Sequence, residues 1–341
     1  MAEPPKPLID SLGVRHDCDE EIIALAFVGD NLLIAAGDAS VRALARAGSL
    51  DWRRDDLHAG ALLCAAIGPA GDLFSGGDDG TVQRINAAGD VAAFARVKGW
   101  VDDLAASKRH VAVACAKQAL VFDADGAARA AFDHGARIAG LAFDPEGRRL
   151  ACAHLDGVTI WFAANPDSRG KTLTWKGAHL IVGWSPDGKF VLTGMQENAL
   201  HGWRLQDGSH FRMSGYPAKI RNLSFTFDAK QCATSGAPEI VLWPFYKPTG
   251  PVNQAANIVG QMGAPCTRVA CHPTRPILAA GDSAGEVAVQ AITGHGRPIL
   301  VCEAQGSQIT ALVWSADGAR LAYGDEAGRV GAVDFSSVIG G

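Results

Sequence analysis

The chain has 341 residues, with 31 Lys and Arg against 36 Asp and Glu for a formal charge of −5. That balance lacks the basic excess that general nucleic-acid binding requires. No stretch reaches the length of a membrane span, and Met1 to Pro7 lacks the apolar run of a signal peptide, so a cytoplasmic protein is expected.

Taken in order, the chain says nearly the same thing eight times. Ile22-Ile23-Ala24-Leu25-Ala26-Phe27 is echoed by segments ending at Ile67, Ala106, Phe143, Trp184, Phe225, Cys271 and Trp314. The steps between these ends run 40, 39, 37, 41, 41, 46 and 43 residues. A period near forty in a chain of short strands is the mark of a β-propeller, one four-stranded antiparallel blade per repeat. The expected fold is therefore all-β, an eight-bladed β-propeller forming one domain over residues 1–341. Seven blades is the fallback, because Ala65-Ala66-Ile67 and Leu104-Ala105-Ala106 lack the terminal aromatic.

Repeat five shows the unit. Strand A runs from His179 to Trp184, strand B from Phe190 to Gly194, strand C from Leu200 to Trp203 and strand D from Ser209 to Phe211. Ser185-Pro186-Asp187-Gly188 joins A to B, with proline fixing φ and Asp-Gly supplying a side-chain bond and a permissive φ. The same slot holds Asp144-Pro145-Glu146-Gly147, His272-Pro273-Thr274-Arg275 and Ser315-Ala316-Asp317-Gly318. The B–C slot holds Gly77-Asp78-Asp79-Gly80, Asp282-Ser283-Ala284-Gly285 and Asp325-Glu326-Ala327-Gly328. These recurrent Asp and Gly residues are read as turn chemistry rather than as a metal or phosphate motif.

The eighth repeat runs out after strand C, near Phe335. Leu8-Ile9-Asp10-Ser11-Leu12 is therefore expected to supply the missing outer strand, making residues 1–15 a closing strand of the last blade. Eight scattered cysteines have no framework spacing, and Cys115, Cys152 and Cys232 sit in apolar strand contexts as free buried thiols.

Trp184-Ser185-Pro186-Asp187-Gly188-Lys189, with Trp161, Trp203 and Trp243 closing strand C, resembles the Trp-Asp (WD) repeat family over residues 20 to 335. The terminal dipeptide survives loosely, as Phe122-Asp123, Trp161-Phe162, Trp203-Arg204, Trp243-Pro244 and Val333-Asp334. The family's Gly-His before strand A is mostly missing, with Gly177-Ala178-His179 the nearest approach, so its buried Asp-His-Ser/Thr-Trp network is expected to be incomplete. The resemblance is to divergent, bacterial-style members. It implies a non-catalytic scaffold, a monomer, whose partners dock on the face where each strand A begins. Arg42 to Trp52 and Val121 to Gly126 are also similar to quinoprotein-type propeller repeats. Those enzymes bind a quinone and calcium, but here the tryptophan-docking pattern occurs about once.

On the strand-A face the sequence puts Trp100, an exposed aromatic suited to anchor a partner. Arg137, Lys219, Arg221 and Arg268 would form a basic arc there, with Asp102, Asp103, Glu20 and Glu21 across from it. Converging cations suit an acidic or phosphorylated protein segment, since arginine matches carboxylate and phosphate bidentately. The alternative reading is a zinc-handling accessory protein using His16 and Cys18, although no paired ligand spacing accompanies them. A third is a channel-centred, metal-dependent hydrolase drawing on Asp102, Asp103 and Asn222. No Gly-x-Ser-x-Gly elbow, His-Glu-x-x-His or phosphate-cradling loop supports catalysis, and no cofactor is expected.

Overall fold

A computed structural model describes residues 6–68, 70–293 and 298–338. Met1 to Pro5 of the expected closing segment, and the last three residues, lie outside that range. The contacts gather the chain into two compact units, one of 1–36, 43–51 and 216–341 and the other of 37–42 and 52–215.

Among the described residues the chain is almost entirely β, in antiparallel strands that follow the repeat. The strands that open the repeats end at Val28, Ile67, Ala106, Phe143, Trp184, Phe225, Cys271 and Trp314. Most are followed outward by separate B, C and D strands, as in Leu62–Ile67, Leu73–Gly77, Thr81–Ile85 and Val91–Arg96. Alternation explains the layering: in Ala128–Asp133, an outer strand, only Ala130 and Phe132 turn inward. The middle strands are buried on both faces, as Phe190–Met195 is throughout.

Among the described residues the hydrogen-bonded sheets number seven, six of four strands and one of six, which corrects the expectation of eight to the fallback count. Repeats four and five share the six-stranded sheet through two strands of 14 residues, Arg149–Phe162 and Lys171–Trp184. The cause is local. The link between repeats is only Lys176-Gly177-Ala178, and Ala178 still pairs with Leu155 while the next residue, His179, pairs with Met195. The chain nevertheless reverses inside Arg149–Phe162, at Asp156 (φ 65°) and Gly157 (φ 154°). His154 Nε2 thus lies 2.9 Å from Thr159 Oγ1, a separation that an extended strand could not give.

The turns use their polar residues as the sequence suggests. Ser185 Oγ donates to Asp187 and accepts from the Phe190 amide, and Asp187 also accepts from Lys189 N. Asp282 Oδ1 accepts the Ala284 and Glu286 amides, and Asp325 Oδ1 those of Ala327 and Arg329. These carboxylates are committed to backbone amides, Asp282 Oδ2 also accepting that of Ala264.

The closing strand is displaced from its expected place. Leu8 to Leu12 does not form it: Ile9–Leu12 is a single helical turn. The strand is Gly13–Asp17, antiparallel to Arg329–Asp334 from Gly13↔Val333 to Asp17↔Arg329. The apolar spacing of Leu8, Ile9 and Leu12 fits a turn of helix with one inward face. Ile9 (1% exposed) is buried with Val333, Trp314 and Phe335, and Leu8 and Leu12 pack against that cluster.

Candidate functional site

In the unit containing residues 52–215, Trp100 is 60% exposed, as a surface anchor requires. It precedes Val101, which is fully buried and whose amide donates to the Gly77 carbonyl. Arg137 is not a free cation, because its guanidinium is ion-paired with Asp102. Asp102 Oδ2 also accepts the Ala116 amide at 2.6 Å. The two groups expected to oppose each other across a face are therefore one neutralised pair.

Asp103 has a different task. Its Oδ1 accepts the Leu104 amide at 2.9 Å and its Oδ2 accepts the Leu141 amide of the next repeat at 2.7 Å. Burial is the largest influence on the carboxyl and pushes it up to about 6, against those amides and with help from Asp102. A raised folded-state value means that its favourable contribution is present at low pH and is lost as pH rises from about 4 through about 6. Asp103→Asn, which keeps the acceptor without the charge, is expected to remove that dependence in urea titrations from pH 4 to 7. Asp103→Ala orphans the Leu141 amide and should be less stable than the Asn variant by about 1–3 kcal/mol.

The other unit repeats this stitch with neutral groups. Asn222 Oδ1 accepts the Val269 amide at 2.7 Å, Thr267 Oγ1 donates to Ile309 O at 2.6 Å, and Thr310 Oγ1 donates to Ile22 O at 2.7 Å. Asp103 and Asn222, invoked as ligands for a hydrolytic metal, have oxygens engaged in joining neighbouring repeats.

In this unit the charges of Arg221 and Arg268 act on each other. Arg221 is exposed and Arg268 half-buried, and each perturbs the electrostatics of Glu21. Burial first, then the like charge of Arg221, lowers the Arg268 pKa, while Glu21 opposes both. Burial and Glu326 push the Glu21 carboxyl up, and Arg268 and Arg221 pull it back. Among the described residues neither guanidinium has a carboxylate within ion-pair distance, and neither does half-buried Lys219. Arg268 Nη1 donates only to the carbonyl of Thr267, at 3.0 Å.

His16 and Cys18 stand near the end of the closing strand. Cys18 is 1% exposed within an apolar cluster containing Ile22 and Val330, and its amide donates to Gly328 O. Asp17 Oδ1 accepts the Asp19 amide. Among the described residues no three His, Cys, Asp or Glu side chains are grouped to hold a metal. No disulfide joins any of the eight cysteines; burial raises the Cys152 thiol and pushes Cys271 up to about 11.

The buried polar networks are richer than expected. His58, four residues before the strand Leu62–Ile67, lies 2.9 Å from Thr81 Oγ1 and 2.9 Å from Ser75 Oγ. Thr81 in turn donates to Asp79. Burial opposes ionisation of Asp79, but the amides of Thr81 and Ala59 hold its carboxyl well below the usual range. Repeat five pairs His179 Nδ1 with Thr193 Oγ1 at 2.7 Å, and in the other unit Tyr216 takes the place of histidine, between Thr234 Oγ1 and Trp243 Nε1. His58 was missed in the sequence because Leu57-His58 lacks the glycine of the usual dipeptide.

Four-stranded antiparallel blades in serial repeats, with A strands stitched to the next repeat by side chains, define a β-propeller. No family model matches the chain. Among solved structures it is similar to the computationally designed Ika8 protein, with a TM-score of 0.79 and 19% identity over 94% of this chain and 98% of that one. It is also similar to a chain of the mitotic checkpoint complex, with a TM-score of 0.66 and 14% identity over 80% of this chain and 86% of the other. Likenesses at these identities establish a shared fold.

Proposed function

We propose that this chain is a divergent, WD-repeat-like propeller acting as a non-catalytic scaffold, and that Arg221 and Arg268 receive an acidic or phosphorylated segment of a protein partner. The observation that carries this reading is the state of Arg268. A half-buried guanidinium that feels the like charge of a second arginine, with no carboxylate within ion-pair distance among the described residues, bears desolvation and repulsion together. One bidentate anion between the two arginines relieves both, which a solvated surface pair would not need. Lys219 adds a third positive charge in the same unit. Trp100 serves as a separate aromatic contact in the other. The turn carboxylates and the joining oxygens of Asp103 and Asn222 are already occupied, which favours binding over catalysis.

The test is comparative capture from lysate with wild type, Arg221→Glu/Arg268→Gln and Trp100→Ala. Glutamine is chosen at Arg268 to avoid burying a new charge. Proteins retained by wild type are expected to be lost from the double variant while its melting temperature holds, and acidic peptides from those proteins should compete. Equal capture by wild type and a folded double variant would remove the two arginines from the interface.

A further inference from the structure

A cavity of about 320 Å³ lies in the unit containing both ends of the chain, beside the closing strand, and it plays no part in the scaffold reading. Its inner wall is apolar: Ile309, Val330, the Tyr323 ring and Cys302 are all at most 5% exposed. Burial, the largest influence on each, raises the Tyr323 hydroxyl and the Cys302 thiol, so neither brings a charge to the floor. Volume and lining match a small-molecule site, with an apolar body and a few polar groups at one end.

The polar end decides what fits. Arg15 and Arg329 line it, with Gln305, His16 and Asp17. Arg15 spends Nη2 on Asp10, which is not part of the lining. Arg329 gives Nε to Asp325 and Nη1 to Gln305. The remaining N–H groups of both guanidinia have no protein acceptor among the described residues. Of the acceptors nearby, Asp325 takes two turn amides as well as Arg329, and Asp17 Oδ1 takes the Asp19 amide. Surplus donors over an apolar floor select a ligand whose polar end is an anionic acceptor.

We infer that this cavity binds a small apolar carboxylate, its hydrocarbon body against Ile309, Val330 and Tyr323 and its carboxylate on Arg15 and Arg329. The site joins the closing strand to the sheet's third strand, so an occupant would also fasten the N-terminal segment.

Calorimetry on the full chain with phenylacetate and naphthylacetate, against neutral phenylethanol and cationic benzylamine, tests this. Saturable binding of a carboxylate is expected with Kd at or below about 1 mM, at least about tenfold tighter than the alcohol. Arg15→Gln, at a largely exposed side chain that the fold can spare, should erase that preference. Because Arg329 is tied to buried Asp325, a second readout needs no variant: naphthylacetate should slow alkylation of Cys302, followed by mass spectrometry, and leave Cys271 unchanged. No saturable carboxylate binding, equal affinity for acid and alcohol, an unchanged preference in Arg15→Gln, or no protection of Cys302 would each overturn the assignment.

Discussion

Removing residues 1–17 is expected to lower the melting temperature sharply and to make the chain prone to aggregation. The segment contributes three things at once. Ile9 is buried with Trp314 and Phe335, and truncating a residue in such a place costs about 2–5 kcal/mol. Gly13–Asp17 covers one edge of Arg329–Asp334, and a bare edge of that kind is a template for other chains. Leu8 and Leu12 cover the same cluster, and the Leu8 amide donates to Leu300 O. Urea unfolding of wild type, Ile9→Ala and the truncated chain separates the effects. The truncated chain should lose more stability than Ile9→Ala alone. A melting temperature unchanged by the deletion would show that the pairing with Arg329–Asp334 is dispensable.

Between pH 7 and pH 5 acid should weaken the fold through its buried histidines, with Asp103 opposing them in part, and His201 is the main reason. The side chain is fully buried, stacked on Trp175 at 4.3 Å and packed against Trp203 at 4.5 Å. Neither ring nitrogen has a hydrogen-bond partner among the described residues. Burial foremost, then His210 and His179, push its pKa down to about 3. A histidine held neutral takes up its proton only on unfolding, so its stabilising effect is complete above about pH 6.5 and drains away as pH falls towards 3. With those two values, the loss by pH 5 is about 2 kcal/mol. His134, pushed down to about 4 chiefly by burial, adds a loss of the same sign. His201→Phe keeps the stacking, removes two orphaned nitrogens, and should raise stability at pH 7 by about 1–3 kcal/mol. The smaller His201→Leu controls for overpacking. In both, the drop between pH 7 and pH 5 should shrink by about 2 kcal/mol; an unchanged drop would assign the acid sensitivity to other groups.

The repeat was legible because each A strand must end in the same layer, so its last residue recurs at a nearly constant interval from Phe27 to Trp314. Turn roles were legible for a similar reason, since Asp and Gly at Ser185–Gly188 or Asp325–Gly328 answer to backbone geometry alone. The sheet count was not, because it depends on whether Lys176-Gly177-Ala178 interrupts pairing, and that is a matter of register rather than composition. The closing strand was misplaced by five residues because Leu8, Ile9 and Leu12 satisfy an apolar strand and a helical turn equally well. Among the site residues, the exposure of Trp100 followed from its position ahead of a strand. The pairing of Arg137 with Asp102 did not, as it brings together groups 35 residues apart. Arg15 and Arg329 were passed over for the same reason: each is an ordinary strand arginine until register puts both on one cavity.

The partnership of Gly13 with Val333 also bears on the order of events during synthesis. A ribosome adding about 5–20 residues per second needs on the order of half a minute to produce the partner strand. Through that interval Leu8, Ile9, Leu12 and Val14 have nowhere to dock, although repeats one to seven can already pair internally. That sheet is then the slowest to complete, closed by a contact of very high sequence separation, and a nascent-chain chaperone would find its longest-lived target in the waiting segment Leu8 to Val14 rather than in the strand that completes the pairing.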